Sequence, residues 1–265
     1  MKSRYQGGCF MEFTKDKLKV EIFDTRDETG RSAAKDIADC IRKLQSEKDE
    51  INMIFAAAPS QNETLYYLCL EEGIDWGRIN AFHMDEYLDL SKDAPQCFCN
   101  YLKEHIFSKK HFKSVNYINS DAKDPYEECR RYSELLKKYP CDIVCMGIGE
   151  NGHIAFNDPI NADFSDRETV KVVELDEICR MQQVNDGCFE KIDDVPKKAL
   201  TVTVPHLMSA KYKFCTVPGK TKANAVKRTV YDEINELCPA TVMRISENSV
   251  MYCDKDSSSL LSYNK

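Results

Sequence analysis

The sequence predicts an α/β protein: an open, mostly parallel Rossmann-like sheet with helices on both faces. Three observations carry this. Strand-like and helix-like segments alternate over most of the 265 residues. The run DIVCM at 142–146 is apolar almost throughout, as a central parallel strand covered on both faces has to be. No internal repeat, low-complexity tract or linker interrupts the pattern, so residues 19–265 read as a single domain behind a polar leader at 1–18.

The elements follow in order. Residues 19–23 (KVEIF) read as a strand. Residues 27–45 place Ala33, Ile37, Cys40, Ile41 and Leu44 at three- and four-residue steps, the spacing of one buried helix face. An apolar run at 51–57 ends in Pro59-Ser60, and a helix is expected at 62–70. A strand at 79–84, a helix at 98–107 and a strand at 115–118 come next. Asp124-Pro125 is a helix-start signal for 125–138. Beyond Asn157 the pattern loosens. Strands are expected again at 170–174, 199–204 and 212–216, a helix at 220–230, and short strands at 241–244 and 250–252.

Composition narrows the function. A net charge of −7 offers no basic face for nucleic acid, and any phosphate site must be assembled locally. The thirteen cysteines are odd in number, lack C-x-x-C spacing and follow no secretory signal, which points to reduced thiols in the cytoplasm rather than a disulfide or metal scaffold. No apolar run approaches the ~18 residues of a membrane span.

In open α/β sheets ligands bind beyond the carboxyl ends of the strands. That rule selects the loops at 57–63, 83–87, 147–159 and 218–222. The third loop, Gly147-Ile-Gly149-Glu-Asn151-Gly152-His153-Ile-Ala-Phe-Asn-Asp158-Pro159, turns sharply on three glycines and then presents a histidine. Asn151 or Asp158 could fix its tautomer. A plain glycine turn with a solvated histidine is the alternative. The second loop, Ala-Phe-His-Met-Asp85-Glu86-Tyr87, carries adjacent carboxylates of which one is expected to face the cleft; otherwise the acids only start a helix.

The strings F-x-M-D-E-Y and G-x-G-x-x-G-H-I-A-F-N-D-P together resemble the glucosamine-6-phosphate deaminase/isomerase family, which is related to the 6-phosphogluconolactonases. Val195-Pro196, Ala199–Val202 and the Gly219-x-x-Lys222-Ala223 segment extend the resemblance from about Lys19 to the C-terminus. It implies conversion of an amino-sugar 6-phosphate into a ketose 6-phosphate and ammonia, with no metal or organic cofactor and a small sugar phosphate as the binding partner. It further implies that His153 opens the pyranose ring and that Asp85 moves the C2 proton to C1. Asp158 would orient the histidine, and Lys222 would contact the phosphate. A homo-oligomer is compatible with the resemblance, since members differ in oligomeric state.

Three departures stand out. Asn151 replaces the usual Asp, and Asp158 is one methylene shorter than the usual Glu. The phosphate loop reads Ala57-Ala-Pro59-Ser60-Gln61-Asn62-Glu63 instead of a Gly- and Thr-rich string. Ser60, Gln61, Asn62 and the amides of the following helix start are expected to bind the anion, beside Gly152. Arg180 is the nearest match in context for a phosphate arginine. A lactone hydrolase using His153 to activate water, or a sugar-phosphate-binding protein with little activity, remain the competing readings.

Overall fold

The computed structural model describes residues 11–262. Its eleven strands and seven helices run in chain order as β1 (Met11–Lys15), β2 (Leu18–Phe23), α1 (Arg26–Glu47), β3 (Ile51–Phe55), α2 (Asn62–Leu70), β4 (Ile79–His83), β5 (Asp85–Tyr87), α3 (Phe98–Leu102), β6 (Ser114–Asn116) and α4 (Pro125–Lys138). There follow β7 (Ile143–Met146), β8 (Val170–Glu174), α5 (Glu177–Asn185), β9 (Lys198–Val202), α6 (Val204–Met208), β10 (Tyr212–Val217), α7 (Ala223–Tyr231) and β11 (Ser249–Asp254).

Eight strands form one sheet in the order β1-β2-β11-β10-β7-β3-β4-β6. All neighbours are parallel except β1 and β2, which form an antiparallel hairpin at the edge. The central strands are buried on both sides. Met53, Phe55 and Cys145 face α1, α2 and α3 through Ile37, Leu65 and Leu102. Ile54, Val144 and Met146 face the other layer, built on Tyr132 of α4, Leu207 of α6 and Val226 of α7. The doubly covered α/β sheet read from the sequence is present.

Several details differ from the sequence reading. Residues 11–18 were expected in a leader, but Met11 and Phe13 alternate with Glu12 and Thr14, and this period of two pairs them with β2 through a turn with Asp16 at φ 54°. Residues 1–10 lie outside the described residues. Residues 241–244 are not a strand. They belong to a tight helical turn, Pro239–Ile245, begun by the proline and pinned where Thr241 Oγ1 donates to Cys238 O (2.7 Å). Residues 85–87 leave the main sheet to pair with β9, making a small antiparallel sheet β5-β9-β8. Every cysteine among the described residues is a free thiol, most of them buried.

Four adjacent central strands, β10, β7, β3 and β4, end on the same side of the sheet and release the four loops chosen above. All four border one cleft.

Candidate active site

The glycine loop after β7 places the imidazole. Gly149 N–H donates to His153 O (2.9 Å), which folds the loop back so that the ring lies directly over Gly149. A Cβ on Gly149 would sit 2.1 Å from His153 Cε1, so this approach requires glycine. Gly152 serves the backbone instead: its φ is +86°, and a side chain there would meet Cys238 Sγ at 2.6 Å. Expected to contact substrate, it is not among the residues that border the cleft, and it packs against Cys238.

His153 lines the cleft, and its Nδ1 lies 2.8 Å from Asp158 Oδ1. The contact is short but bent, outside the angles of a linear hydrogen bond. Asp158 is fully buried. Burial by itself would raise its carboxyl, yet His153, Asn151 and the Cys179 thiol outweigh that and hold it below the ordinary value. The shorter acid therefore reaches the ring.

Asn151 does not touch the imidazole ring. Its Oδ1 accepts the His153 backbone N–H (3.0 Å), and its Nδ2 donates to Asp158 Oδ1 (3.0 Å) and Asp176 Oδ2 (3.3 Å). An amide is suited to this place because it supplies a donor between two acids. A carboxylate would make a third negative group there.

The second carboxylate comes from β4 and β5. Asp85 lines the cleft, whereas Glu86 turns inward and caps α3: its Oε1 accepts from Tyr87 and Phe98 N–H (both 3.0 Å) and its Oε2 from Cys99 N–H (2.9 Å). Burial, with Glu86 adjacent, pushes the Asp85 carboxyl well above its ordinary value, which makes its ionised form a stronger base. His83 fixes the backbone beneath it. Ile118 N–H donates to Nε2 (2.9 Å), so Nδ1 carries the proton and donates to Asp85 O (2.9 Å). Burial lowers the His83 pKa to about 4, which keeps that ring neutral.

Two cations border the cleft: Lys222, which is buried, and Arg26, at the start of α1. Burial lowers the Lys222 ammonium, while Asp186 and Glu150 oppose that shift. Arg26 is held by Glu63 Oε1 (2.8 Å) and by the Pro59 carbonyl. It owes its place to the capping box of Thr25 and Glu28, which begins α1 at the carboxyl end of β2.

Three expected phosphate ligands are turned elsewhere. Arg180 donates to Val195 O (3.1 Å) and Ile192 O (2.5 Å), away from the cleft. Gln61 is buried, with Nε2 donating to Thr216 O (3.3 Å), and Asn62 Oδ1 accepts from Tyr101 OH (2.6 Å). The amides expected at this helix start are also engaged, Gln61 N–H with Ala58 O and Asn62 N–H with Pro59 O. Ser60 remains as the loop's polar side chain at the cleft. Sequence reasoning missed Arg26 and also α5, whose Gln182 and Gln183 border the cleft together with Asp186 just past the helix end. Gln182 Oε1 accepts Glu150 N–H (2.8 Å) and so ties α5 to the glycine loop.

An open parallel sheet that brings a His–Asp couple, a raised carboxyl and two cations to one cleft is an α/β arrangement suited to acid–base chemistry on a small anion. The family model described as glucosamine-6-phosphate isomerases/6-phosphogluconolactonase matches residues 24–252. A glucosamine-6-phosphate deaminase of Listeria monocytogenes serotype 4a is 35% identical over 212 residues, covering 80% of this chain and 88% of that protein. One from Bacillus cereus is 31% identical over 245 residues, covering 92% and 90%. A solved structure described as a monomeric glucosamine-6-phosphate deaminase superposes with a TM-score of 0.82 at 32% identity, covering 91% of this chain and 99% of that one. A 6-phosphogluconolactonase from Thermotoga maritima shares the fold, with a TM-score of 0.72 at 20% identity. The chain belongs to the glucosamine-6-phosphate isomerase/6-phosphogluconolactonase family.

Proposed function

We propose that this chain converts glucosamine 6-phosphate, or its C4 epimer, into the corresponding ketose 6-phosphate and ammonia. One observation carries the reading: Asp85 and His153, delivered by different strands, border the same cleft as Lys222 and Arg26. The phosphate is held by the Lys222 ammonium and the Ser60 hydroxyl, with Arg26 taking the part that Arg180 does not.

His153 moves a proton between the ring oxygen and the C1 hydroxyl, opening the pyranose to an aldehyde. Asp158 holds the ring and balances the imidazolium that forms. Asp85 then removes the C2 proton and returns it to C1. The C1 oxygen takes a proton given up by the substrate's ammonium group, so C1 becomes a hydroxymethyl and C2 an iminium. Water adds to C2, and the carbinolamine collapses to the ketone as the amino group leaves with the water's two hydrogens as ammonium. The raised basicity of Asp85 serves the step in which a carbon acid must lose its proton.

Coupled assays for ammonia and ketose over a panel of amino-sugar 6-phosphates, including both C4 epimers, test this. Equal amounts of both products are expected from at least one substrate, and loss of both in Asp85→Asn and His153→Gln. Hydrolysis of a sugar-phosphate lactone in the absence of ammonia release would instead establish the lactonase chemistry.

A further inference from the structure

We propose that His153, Asp158 and Cys179 form a capture site for a thiophilic divalent cation such as Zn²⁺, and that its occupancy shuts off the acid–base couple. The ligand atoms of the three residues all lie within 4.8 Å of one another, and all three side chains are buried. Among the described residues no other trio of His, Cys, Asp or Glu atoms clusters in this way. Cys179 sits in the first turn of α5, where Asp176 Oδ1 accepts its N–H (2.6 Å) and fixes the turn behind Asp158.

A second observation points to a ligand. His153 Nδ1 and Asp158 Oδ2 are buried without a well-aligned hydrogen-bond partner, although Asp158 is wholly enclosed. The Cys179 thiol contributes only a weak donor toward that carboxylate. Buried polar atoms left in this condition are costly, and a cation would satisfy both at once.

The donor set defines the cation. Imidazole, thiolate and carboxylate together suit Zn²⁺ and its borderline-soft neighbours, not Mg²⁺ or Ca²⁺. Tetrahedral Zn²⁺ bonds of about 2.0–2.3 Å separate ligand atoms by roughly 3.3–3.7 Å, so side-chain shifts of about 1 Å close the trio around the ion. Binding releases one proton, from Cys179, so affinity rises with pH. The ion and its two anionic ligands are then neutral overall, which a buried place requires. His153, alone of the three, borders the cleft. With Nδ1 bound to the metal, the imidazole can no longer be oriented and charge-balanced by Asp158. This inhibitory effect rests on the acid–base role of His153 proposed above; the binding itself does not.

The test uses chelator-treated full-length protein. Co²⁺ titration should produce a thiolate-to-cobalt charge-transfer band that saturates at one ion per chain. Competition with a chromophoric chelator should show Zn²⁺ bound, with turnover falling about tenfold or more and returning when the ion is removed. Cys179→Ala and Cys179→Ser should lose the band, bind Zn²⁺ about 100-fold more weakly, and lose inhibition at the Zn²⁺ concentrations that inhibit the parent. Zn²⁺ affinity unchanged in both variants, or no thiolate band in the parent protein, would overturn the site. Full occupancy with undiminished turnover would overturn the switch. If the parent shows no deaminase turnover, the fault lies in the functional reading, and the cobalt spectrum still decides the site.

Discussion

Replacing Gly149 with alanine drives a methyl group into the imidazole of His153. A Cβ at that position lies 2.1 Å from Cε1, 2.3 Å from Nε2 and 2.4 Å from Nδ1, where ordinary contact begins at 3.4 Å. The ring must therefore retreat by more than 1 Å. Gly149 has no positive φ, so the backbone accepts alanine and the strain falls on the ring. Retreat breaks the 2.8 Å contact with Asp158 and misaligns the proton shuttle. A displacement of 1 Å costs about 10²-fold in rate, and overpacking costs about 1–3 kcal/mol of stability. Steady-state ammonia release combined with urea unfolding checks both. The expected result is a kcat about 100-fold lower, a KM nearly unchanged because the phosphate contacts come from other loops, and a modest loss of stability. A folded Gly149→Ala protein with full kcat would refute the claim that chemistry depends on the imidazole in this place.

Asp85→Asn should abolish most activity, by about 10²–10⁴-fold, while stabilising the protein at neutral pH. The Asp85 carboxyl is raised in the folded state above 3.8, so its contribution to stability is present below that value and lost as pH rises through the folded one. Urea unfolding should show the variant's advantage at pH 8 and little difference at the acid end. Asn151→Asp should destabilise by about 1–3 kcal/mol at pH 8, because it removes two donated hydrogen bonds and faces Asp158 and Asp176 with like charge. Asn151→Asp combined with Asp176→Asn should recover much of that loss. Lys222→Met and Arg26→Gln should each raise KM by roughly 10-fold or more with a smaller effect on kcat, consistent with about 1.5–3 kcal/mol per charged contact. Arg180→Gln, turned toward Val195 and Ile192, should leave KM unchanged.

The parts of this site that were legible in the sequence are those written in glycine, histidine and apolar runs. β7 and the glycine loop after it could be read because a doubly buried strand has no polar positions and the turn admits few residue types. The edge strand β1 was hidden because its apolar residues are only Met11 and Phe13, set among charges. α5 was hidden for a different reason. Its inward face is Cys179, Gln182 and Gln183, and buried glutamines leave no apolar period to detect. The same geometry explains Arg180: residues 179, 182 and 183 share one face, and position 180 lies about 100° around the helix from 179. Arg26 was invisible because its role comes from the sheet order, which sets the start of α1 beside a loop more than thirty residues further along. The polar substitution at Asn151 was legible as a departure. Its physical role, a donor between two acids, required the position of Asp176.

The central claim is that one bound phosphosugar meets Asp85, His153 and Lys222 together. A crystal structure with the open-chain analogue 2-amino-2-deoxyglucitol 6-phosphate tests it most directly. The account predicts the phosphate within about 3 Å of Lys222 Nζ and Ser60 Oγ with Arg26 at its rim, C1 and C2 beside Asp85, and the O5 hydroxyl at His153. A phosphate seated elsewhere, or a ligand that touches Asp85 and leaves His153 facing empty solvent, would contradict it.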